Sequence, residues 1–230
     1  MRVDPIRKWE LHPIHVDTRA MTLESYERCL PHWRRDGSTY FVTFRLADSI
    51  PRAILENWRH ERRTWLAAHG LAAGLSPDEW RKHYEAIPQA VRREFERQEA
   101  GRCFQELDKC HGECVLRHPE MSRIVADTLR FHDGTRLRCG DFVVMPNHVH
   151  WLLTPLADNA LERILQSVKR FSANQINRRF HRQGSLWRKE SYDHIVRDDK
   201  ELERTRAYIV NNPEKARLKP NEYTYYRAET

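Results

Sequence analysis

Apolar positions fall into two periodicities along the chain, and each marks a set of elements. Residues 38–46 are dense in aromatic and β-branched side chains and read as a strand. A helix follows, opened by Pro51 and ended by Gly70, with Ile54, Leu55, Trp58, Trp65 and Leu66 on one face. Ser76-Pro77-Asp78-Glu79 forms a capping box that starts a charged helix carrying Trp80 and Tyr84, and Pro88 should interrupt it before Val91 and Phe95. Residues 119–131 turn helical again, with Ile124, Val125, Thr128 and Leu129 inward. After a turn at Asp133-Gly134 come two strands, 136–145 and 148–154, joined only by Pro146-Asn147, so they must be antiparallel neighbours. Residues 159–182 give a long amphipathic helix burying Leu161, Ile164, Leu165, Val168, Phe171 and Ile176. A short strand over 192–197 precedes a last helix, capped by Asp198-Asp199-Lys200-Glu201 and stopped by Pro213.

The order β-α-(insertion)-ββ-α-β-α predicts an α+β protein: a ferredoxin-like central antiparallel sheet with helices on one face, plus a helical insertion over about residues 70–117. Residues 1–37 are polar and irregular and read as an N-terminal arm. Without an internal repeat or low-complexity linker, the 230 residues are expected to form a single domain.

Composition narrows the class. A charged fraction of 32% against 40% hydrophobic, with seven tryptophans, belongs to a globular chain and not to a disordered one. No stretch approaches the roughly 20 apolar residues that span a bilayer, and the N-terminus lacks a secretion signal, so a cytoplasmic, nucleoid-associated location is expected. The net charge of +7 favours a polyanionic partner. Five cysteines at irregular positions are unlike a disulfide framework. Cys110-His111-Gly112-Glu113-Cys114 fits no standard zinc spacing, which favours ordinary reduced thiols.

The chemistry gathers late in the chain. His148 and His150 stand two apart in a β-branched strand, so both project from one face while Val149 turns to the other. Two neutral imidazoles so held can chelate a divalent cation; they can equally be two unrelated strand histidines. In the last helix Arg204, Tyr208 and Asn212 are spaced four apart and share a stripe, whereas Leu202, Thr205 and Ile209 face elsewhere and hold the helix to the sheet. Tyr208 alone would be a packing residue, and Asn212 before Pro213 would be a helix terminator. Together with the histidines they offer a phenol and an amide oxygen to one site. From Leu161 to Lys189, eight basic residues (Arg163, Lys169, Arg170, Arg178, Arg179, Arg182, Arg188, Lys189) face a single acid, Glu162. Phe171, Phe180, His181 and Trp187 interleave with them. That pattern suits phosphates and unpaired bases. It also suits a solvated helix with core aromatics, a description that fits Phe171 well and fits Trp187, beyond Gly184 in a basic loop, less well.

Three motifs in order carry a resemblance: Val-Val-Met-Pro-Asn-His-Val-His-Trp-Leu-Leu, Leu-Trp-Arg-Lys-Glu-Ser-Tyr-Asp-His-Ile-Val-Arg-Asp, and Arg-Ala-Tyr-Ile-Val-Asn-Asn-Pro-Glu-Lys-Ala-Arg-Leu. Over residues 38–218 the chain resembles the REP-associated tyrosine transposases, relatives of the IS200-like single-tyrosine HUH transposases. The resemblance implies His148 and His150 as the metal-binding pair, Asn212 as a third ligand to Mg²⁺ or Mn²⁺, and Tyr208 as the nucleophile. The implied activity is a single-stranded DNA endonuclease and strand transferase that cuts beside hairpins, such as REP-like palindromes, through a 5′-phosphotyrosine. Arg204 and the basic segment, with Trp187, would contact DNA, and the enzyme would act as a monomer or homodimer. Two departures stand out: an insertion between about residues 76 and 108, and Lys215-Ala216-Arg217 where the family carries Arg-Ala-Gly. The alternatives are a hairpin-binding protein without catalysis and a replication-initiator or relaxase-type HUH nuclease.

Overall fold

A computed structural model describes residues 37–71 and 74–229 of the chain; the expected N-terminal arm lies almost wholly outside them. Among the described residues five strands form one antiparallel sheet: β1 (Tyr40–Arg45), β2 (Leu137–Val144), β3 (His148–Pro155), β4 (Tyr192–Ile195) and β5 (Thr224–Tyr226). Their spatial order is β4-β1-β3-β2-β5, which puts the histidine strand at the centre. The helices are α1 (Arg52–Ala68), α2 (Pro77–Ala86), α3 (Gln89–Leu107), α4 (Pro119–Arg130), α5 (Leu161–Arg179) and α6 (Asp199–Lys215), with a 3-10 turn at Val115–Arg117. The α+β class and the β2–β3 antiparallel pair therefore stand as expected.

A tight link sets the register of β2 and β3. Met145 N–H donates to the His148 carbonyl at 2.8 Å, and the Asn147 carbonyl accepts from Leu46 N–H at 2.9 Å. The backbone between the strands is thus satisfied, not merely crossed. Opposite β3, His150 pairs with Thr43 and His148 with Arg45 on β1. The ladder shifts register between Cys139 and Phe142. Gly140 lies in that irregular stretch, where a Cβ would meet Leu152 Cβ and its carbonyl oxygen at 2.8 Å. Only glycine permits so close an approach of β2 to β3.

Strand alternation then sorts the sheet into two buried faces. Val149, Trp151 and Leu153 join Val42, Phe44, Phe142 and Val144 beneath α4 and α5. Those two helices share one face, but the expectation of helices on one face only does not hold, because strand residues of the other parity are apolar too and take helices of their own. The opposite face carries Phe41, Val143, Met145 and Leu152, and α6 covers it through Ile209, with Phe104 from α3 alongside. His148 and His150 belong to this second face by parity, so the helix bearing Tyr208 lies over them.

Several boundaries differ from the sequence reading. Pro213 does not stop α6: the helix runs to Lys215, and Pro213 forgoes only its own amide bond while Ala216 N–H still reaches the Asn212 carbonyl at 3.0 Å. α5 ends at Arg179, because His181 takes a left-handed backbone (φ 50°). Phe171, expected in the α5 core, is 54% exposed. β5 pairs with the edge of β2 and had no counterpart in the sequence reading. Within the insertion, the Ser76–Glu79 capping box is formed on α2, and Pro88 separates α2 from a continuous α3. The insertion builds a small core with the end of α1, Leu66 against Leu71, Tyr84 and Ile87, before α3 reaches the sheet.

Candidate active site

The two imidazoles meet edge to face at the centre of the sheet, Nε2 to Nε2 at 3.0 Å, both rings fully buried. Their outer nitrogens decide their protonation. His148 Nδ1 is 2.7 Å from Asn147 Oδ1, an atom that can only accept, so His148 carries its proton on Nδ1 and presents a lone pair from Nε2. His150 Nδ1 is 2.7 Å from Thr43 Oγ1, a hydroxyl able to donate or accept. Two lone pairs 3.0 Å apart repel unless something positive lies between them. Without an ion, Thr43 donates to His150 Nδ1 and His150 Nε2–H donates to His148. With an ion, Thr43 accepts from Nδ1–H and both Nε2 atoms are free to ligate.

Burial holds both rings neutral, the form that binds metal. His148 is pushed down to about 3 by desolvation. His150 is lowered well below its usual value, first by desolvation and then by His148 and Lys215. Phe41 stacks on His150 at 5.4 Å and Phe104 meets it edge-on at 5.4 Å, which fixes the ring plane.

α6 brings the other two groups. The Tyr208 hydroxyl is 3.3 Å from His150 Nε2. Burial pushes its phenol well above the usual value and Asp108 adds to the rise, while a hydrogen bond with Asn212 opposes it. Asn212 is buried; its Nδ2 donates to Asp108 Oδ1 at 3.4 Å, and its Oδ1 has no hydrogen-bond partner. An unmatched buried amide oxygen costs about 1–3 kcal/mol, so it marks a place where a ligand would be welcome. Two neutral imidazole nitrogens and one such oxygen are a donor set suited to a divalent cation. The two Nε2 atoms stand 3.0 Å apart, close enough for both to reach one ion. Among the described residues no three His, Cys, Asp or Glu side chains cluster to hold a metal.

Arg204 is not beside the phenol. It is exposed, with Nε bonded to the Lys200 carbonyl at 3.2 Å. The cation near Tyr208 is Lys215, two turns further along, with Nζ 5.9 Å from the ring centre and 2.6 Å from Asp108 Oδ2. The sequence reading passed over Lys215, although its spacing of seven from Tyr208 puts it on the same stripe. Thr43 and Asn147 were also missed; Asn147 adjoins the histidine motif, but Thr43 is legible only once β1 is paired with β3.

The basic segment divides by role. α5 and the loop after it enclose a groove of about 810 Å³ that Arg170 and Lys189 line. Lys169 does not face DNA freely: its Nζ donates to the carbonyls of Arg188, Lys189 and Glu190, each at 3.1 Å, and burial lowers it to about 8. Trp187 is 5% exposed, donates to Ser172 Oγ at 3.0 Å and packs edge-on against Phe44. It is a core residue, and Phe171 is the exposed aromatic. Arg179 pairs with Glu120, Arg182 with Glu113, and Arg188 lies 3.6 Å from Glu190. Arg163, Arg170, Arg178 and Lys189 make no ion pair among the described residues, and all four are exposed. A second cleft, about 680 Å³, opens between β1, α1 and the inserted helix α3, bringing Arg45, Arg62 and Trp58 beside Thr43 and Tyr192. In the Cys110–Cys114 run, Cys114 Sγ donates to the Cys110 carbonyl at 2.9 Å, and His111 Nε2 meets Glu106 Oε1 at 2.7 Å.

Comparison with known proteins adds three findings. Residues 125–212 match the family described as "Transposase IS200 like", a span that contains His148, His150, Tyr208 and Asn212. An uncharacterized protein of Haemophilus influenzae is 28% identical over a 99-residue alignment covering 34% of this chain and 55% of that protein. The chain thus spans about half the length of that relative. Among solved structures, a REP-associated tyrosine transposase bound to a REP hairpin aligns over 87% of this chain and 95% of its own, at 12% identity and a TM-score of 0.42. No described helix is long and apolar enough to cross a membrane.

Proposed function

Because residues 125–212 match the IS200-like transposase family, we propose that this protein is a metal-dependent single-stranded DNA endonuclease and strand transferase that cuts beside DNA hairpins, REP-like palindromes among them. One observation carries the reading: the Tyr208 hydroxyl lies 3.3 Å from His150 Nε2, which is itself 3.0 Å from His148 Nε2, and Asn212, whose Oδ1 has no partner, hydrogen-bonds the same tyrosine. His148, His150 and Asn212 would hold Mg²⁺ or Mn²⁺. When bound, such an ion supplies Lewis acidity toward a non-bridging oxygen of the scissile phosphate.

Tyr208 performs the bond exchange. Its oxygen attacks phosphorus in line, a Tyr–O–P bond forms, and the P–O3′ bond breaks with its electron pair on the 3′-oxygen. The phenol gives its proton to solvent and the departing 3′-oxygen takes one up. The 5′-phosphotyrosine stores the phosphodiester energy, so attack by another 3′-hydroxyl rejoins strands without a nucleoside triphosphate. A phenol pushed up by burial is a poor nucleophile at neutral pH, which is why this residue must act beside cations. All four side chains come from one chain, so a single copy holds a complete set; a monomer suffices. The exposed arginines of α5 and Lys189 offer phosphate contacts along the groove.

The test uses a hairpin-bearing single strand labelled downstream of the nick. With Mn²⁺ the wild-type protein should give a denaturation-resistant adduct, and mass spectrometry should find the 5′-phosphate on the peptide containing Tyr208. Tyr208→Phe should bind the hairpin and give none. Binding without any adduct, or an adduct on another tyrosine, would leave a hairpin-binding protein or a different nucleophile in its place.

A further inference from the structure

The α3 helix was expected only as part of an insertion, yet its last turn and the loop after it touch two of the three candidate metal ligands. Asp108, the residue that caps α3, accepts from Asn212 Nδ2 at 3.4 Å. Three residues on, the His111 carbonyl accepts from Asn147 Nδ2 at 3.2 Å, and Asn147 Oδ1 in turn takes the proton of His148 Nδ1. We propose that residues 108–111 form the outer sphere of the metal site, with Asp108 the positioning residue that aims the Asn212 amide oxygen at the ion.

The chemistry of an amide makes this necessary. The two ends of an asparagine side chain are nearly equal in shape and opposite in polarity, so an unguided Asn212 would present its NH₂ as readily as its oxygen. A carboxylate accepts and cannot donate. Asp108 therefore selects the rotamer with Nδ2 toward itself, and Oδ1 is left facing away, buried and unmatched. Asp108 is held in turn by Lys215, whose Nζ lies 2.6 Å from Asp108 Oδ2. Asn147 is fixed by the same logic: with its NH₂ committed to a carbonyl, its oxygen must face His148, which sets the tautomer that leaves Nε2 free.

The loop that supplies these groups is pinned. His111 Nε2 and Lys109 Nζ both meet the Glu106 carboxylate at 2.7 Å. Gly112, at φ 84°, passes so near Asp48 that a Cβ would stand 2.6 Å from the Asp48 carbonyl oxygen. Phe104, one turn before Asp108, lies edge-on to His150 at 5.4 Å and 6.1 Å from the Tyr208 ring. The insertion thus reaches the site by packing and by hydrogen bonds alike.

This inference rests on the metal reading above, and the test separates the two. Mn²⁺ binding is measured by calorimetry and electron paramagnetic resonance on the full, DNA-free chain, with a melting curve for each variant. Wild type should bind. Asp108→Ala should bind roughly 10–100-fold more weakly, the usual loss when an outer-sphere partner of a ligand is removed. Asp108→Asn, which keeps an oxygen able to accept from Asn212, should stay within a few-fold of wild type. Asp108→Ser, too short to reach the amide, repeats the alanine experiment with a polar side chain should alanine fail to fold. Equal Mn²⁺ affinity in wild type and the alanine or serine variant would overturn the positioning role while leaving the metal site standing. Asparagine as damaging as alanine would also overturn it, because charge and not the hydrogen bond would then matter. A wild-type chain that does not bind Mn²⁺ would take down the metal reading itself.

Discussion

Lys215 lies two turns beyond Tyr208 on α6, its ammonium 5.9 Å from the centre of the phenol ring and 2.6 Å from Asp108 Oδ2. Asp108 is also the charge that adds to the upward push on Tyr208. Lys215 therefore screens the nucleophile from a carboxylate as well as facing its ring. Lys215→Ala should slow cleavage about tenfold, ~1.4 kcal/mol of barrier, with hairpin affinity unchanged. Adding Asp108→Asn in the same chain should recover part of the rate, because the uncompensated charge is gone. Arg204→Ala should leave the single-turnover rate at saturating DNA as it was. Single-turnover kinetics check all three, and a slow Arg204 variant beside a normal Lys215 variant would reverse the assignment.

The two histidines make folding stability sensitive to acid. In the unfolded chain each ring titrates near 6.5; in the folded chain His148 titrates near 3 and His150 well below its usual value. The unfolded state binds more protons below pH 6.5, so stability from these rings is level above about 6.5 and falls as pH drops from there toward about 3. His148 alone should cost about 2 kcal/mol between pH 7 and pH 5. Urea unfolding of the metal-free protein at those two pH values measures the loss. His148→Gln should flatten the acid limb; an unchanged limb would mean that the ring is protonated in the fold.

Phe171 and Trp187 exchange the roles their neighbours in sequence suggest. Phe171, next to Arg170 in the chain, is 54% exposed, whereas Trp187 is 5% exposed and hydrogen-bonded to Ser172. Phe171→Ala should weaken single-strand binding by about 1–3 kcal/mol if one base stacks on it, at an unchanged melting temperature. Trp187→Ala should instead cost about 3–5 kcal/mol of stability. Fluorescence anisotropy and melting curves separate the two effects, and a stable Trp187 variant with impaired binding would restore the tryptophan as a platform.

What the sequence discloses of this site is whatever depends on local period. The parity of His148 and His150 follows from a strand, and the stripe Tyr208, Asn212 follows from a helix, so both pairs are legible before any tertiary contact is known. Their meeting is another matter. It requires α6 to lie on the face opposite α4 and α5, which depends on Ile209 entering a cluster with Phe41 and Leu152. Asp108 touches Asn212 across 104 positions of chain, and Thr43 meets His150 across 107, separations that no spacing rule reaches. Trp187 and Lys169 were misplaced for a related reason. A basic, aromatic loop looks like a nucleic-acid surface until it folds back, when its tryptophan meets Phe44 and its carbonyls meet a lysine. β5 and the two residues of α6 past Pro213 are likewise beyond what local spacing discloses.

Salt dependence offers the sharpest division of the basic residues. Arg170 and Lys189 line the α5 groove without ion pairs among the described residues, while Arg179 and Arg182 are matched by Glu120 and Glu113. An arginine already matched by a carboxylate displaces fewer counterions when a phosphate approaches, because its charge is partly neutralised beforehand. For single strands, each phosphate contact contributes about 0.7 to the slope of log affinity against log salt. Arg170→Ala with Lys189→Ala should therefore flatten that slope by about 1.4. Arg179→Ala with Arg182→Ala should flatten it by much less, and their loss should show mainly as a small destabilisation of a surface held by exposed pairs. Titrations between 50 and 300 mM salt, on a hairpin with a single-stranded flank, measure both. Equal slopes for the two double variants would mean that both arginines leave their carboxylates to meet DNA. An unchanged slope for Arg170 and Lys189 would move the DNA path to the cleft between β1, α1 and α3, where Arg45 and Arg62 become the next residues to replace.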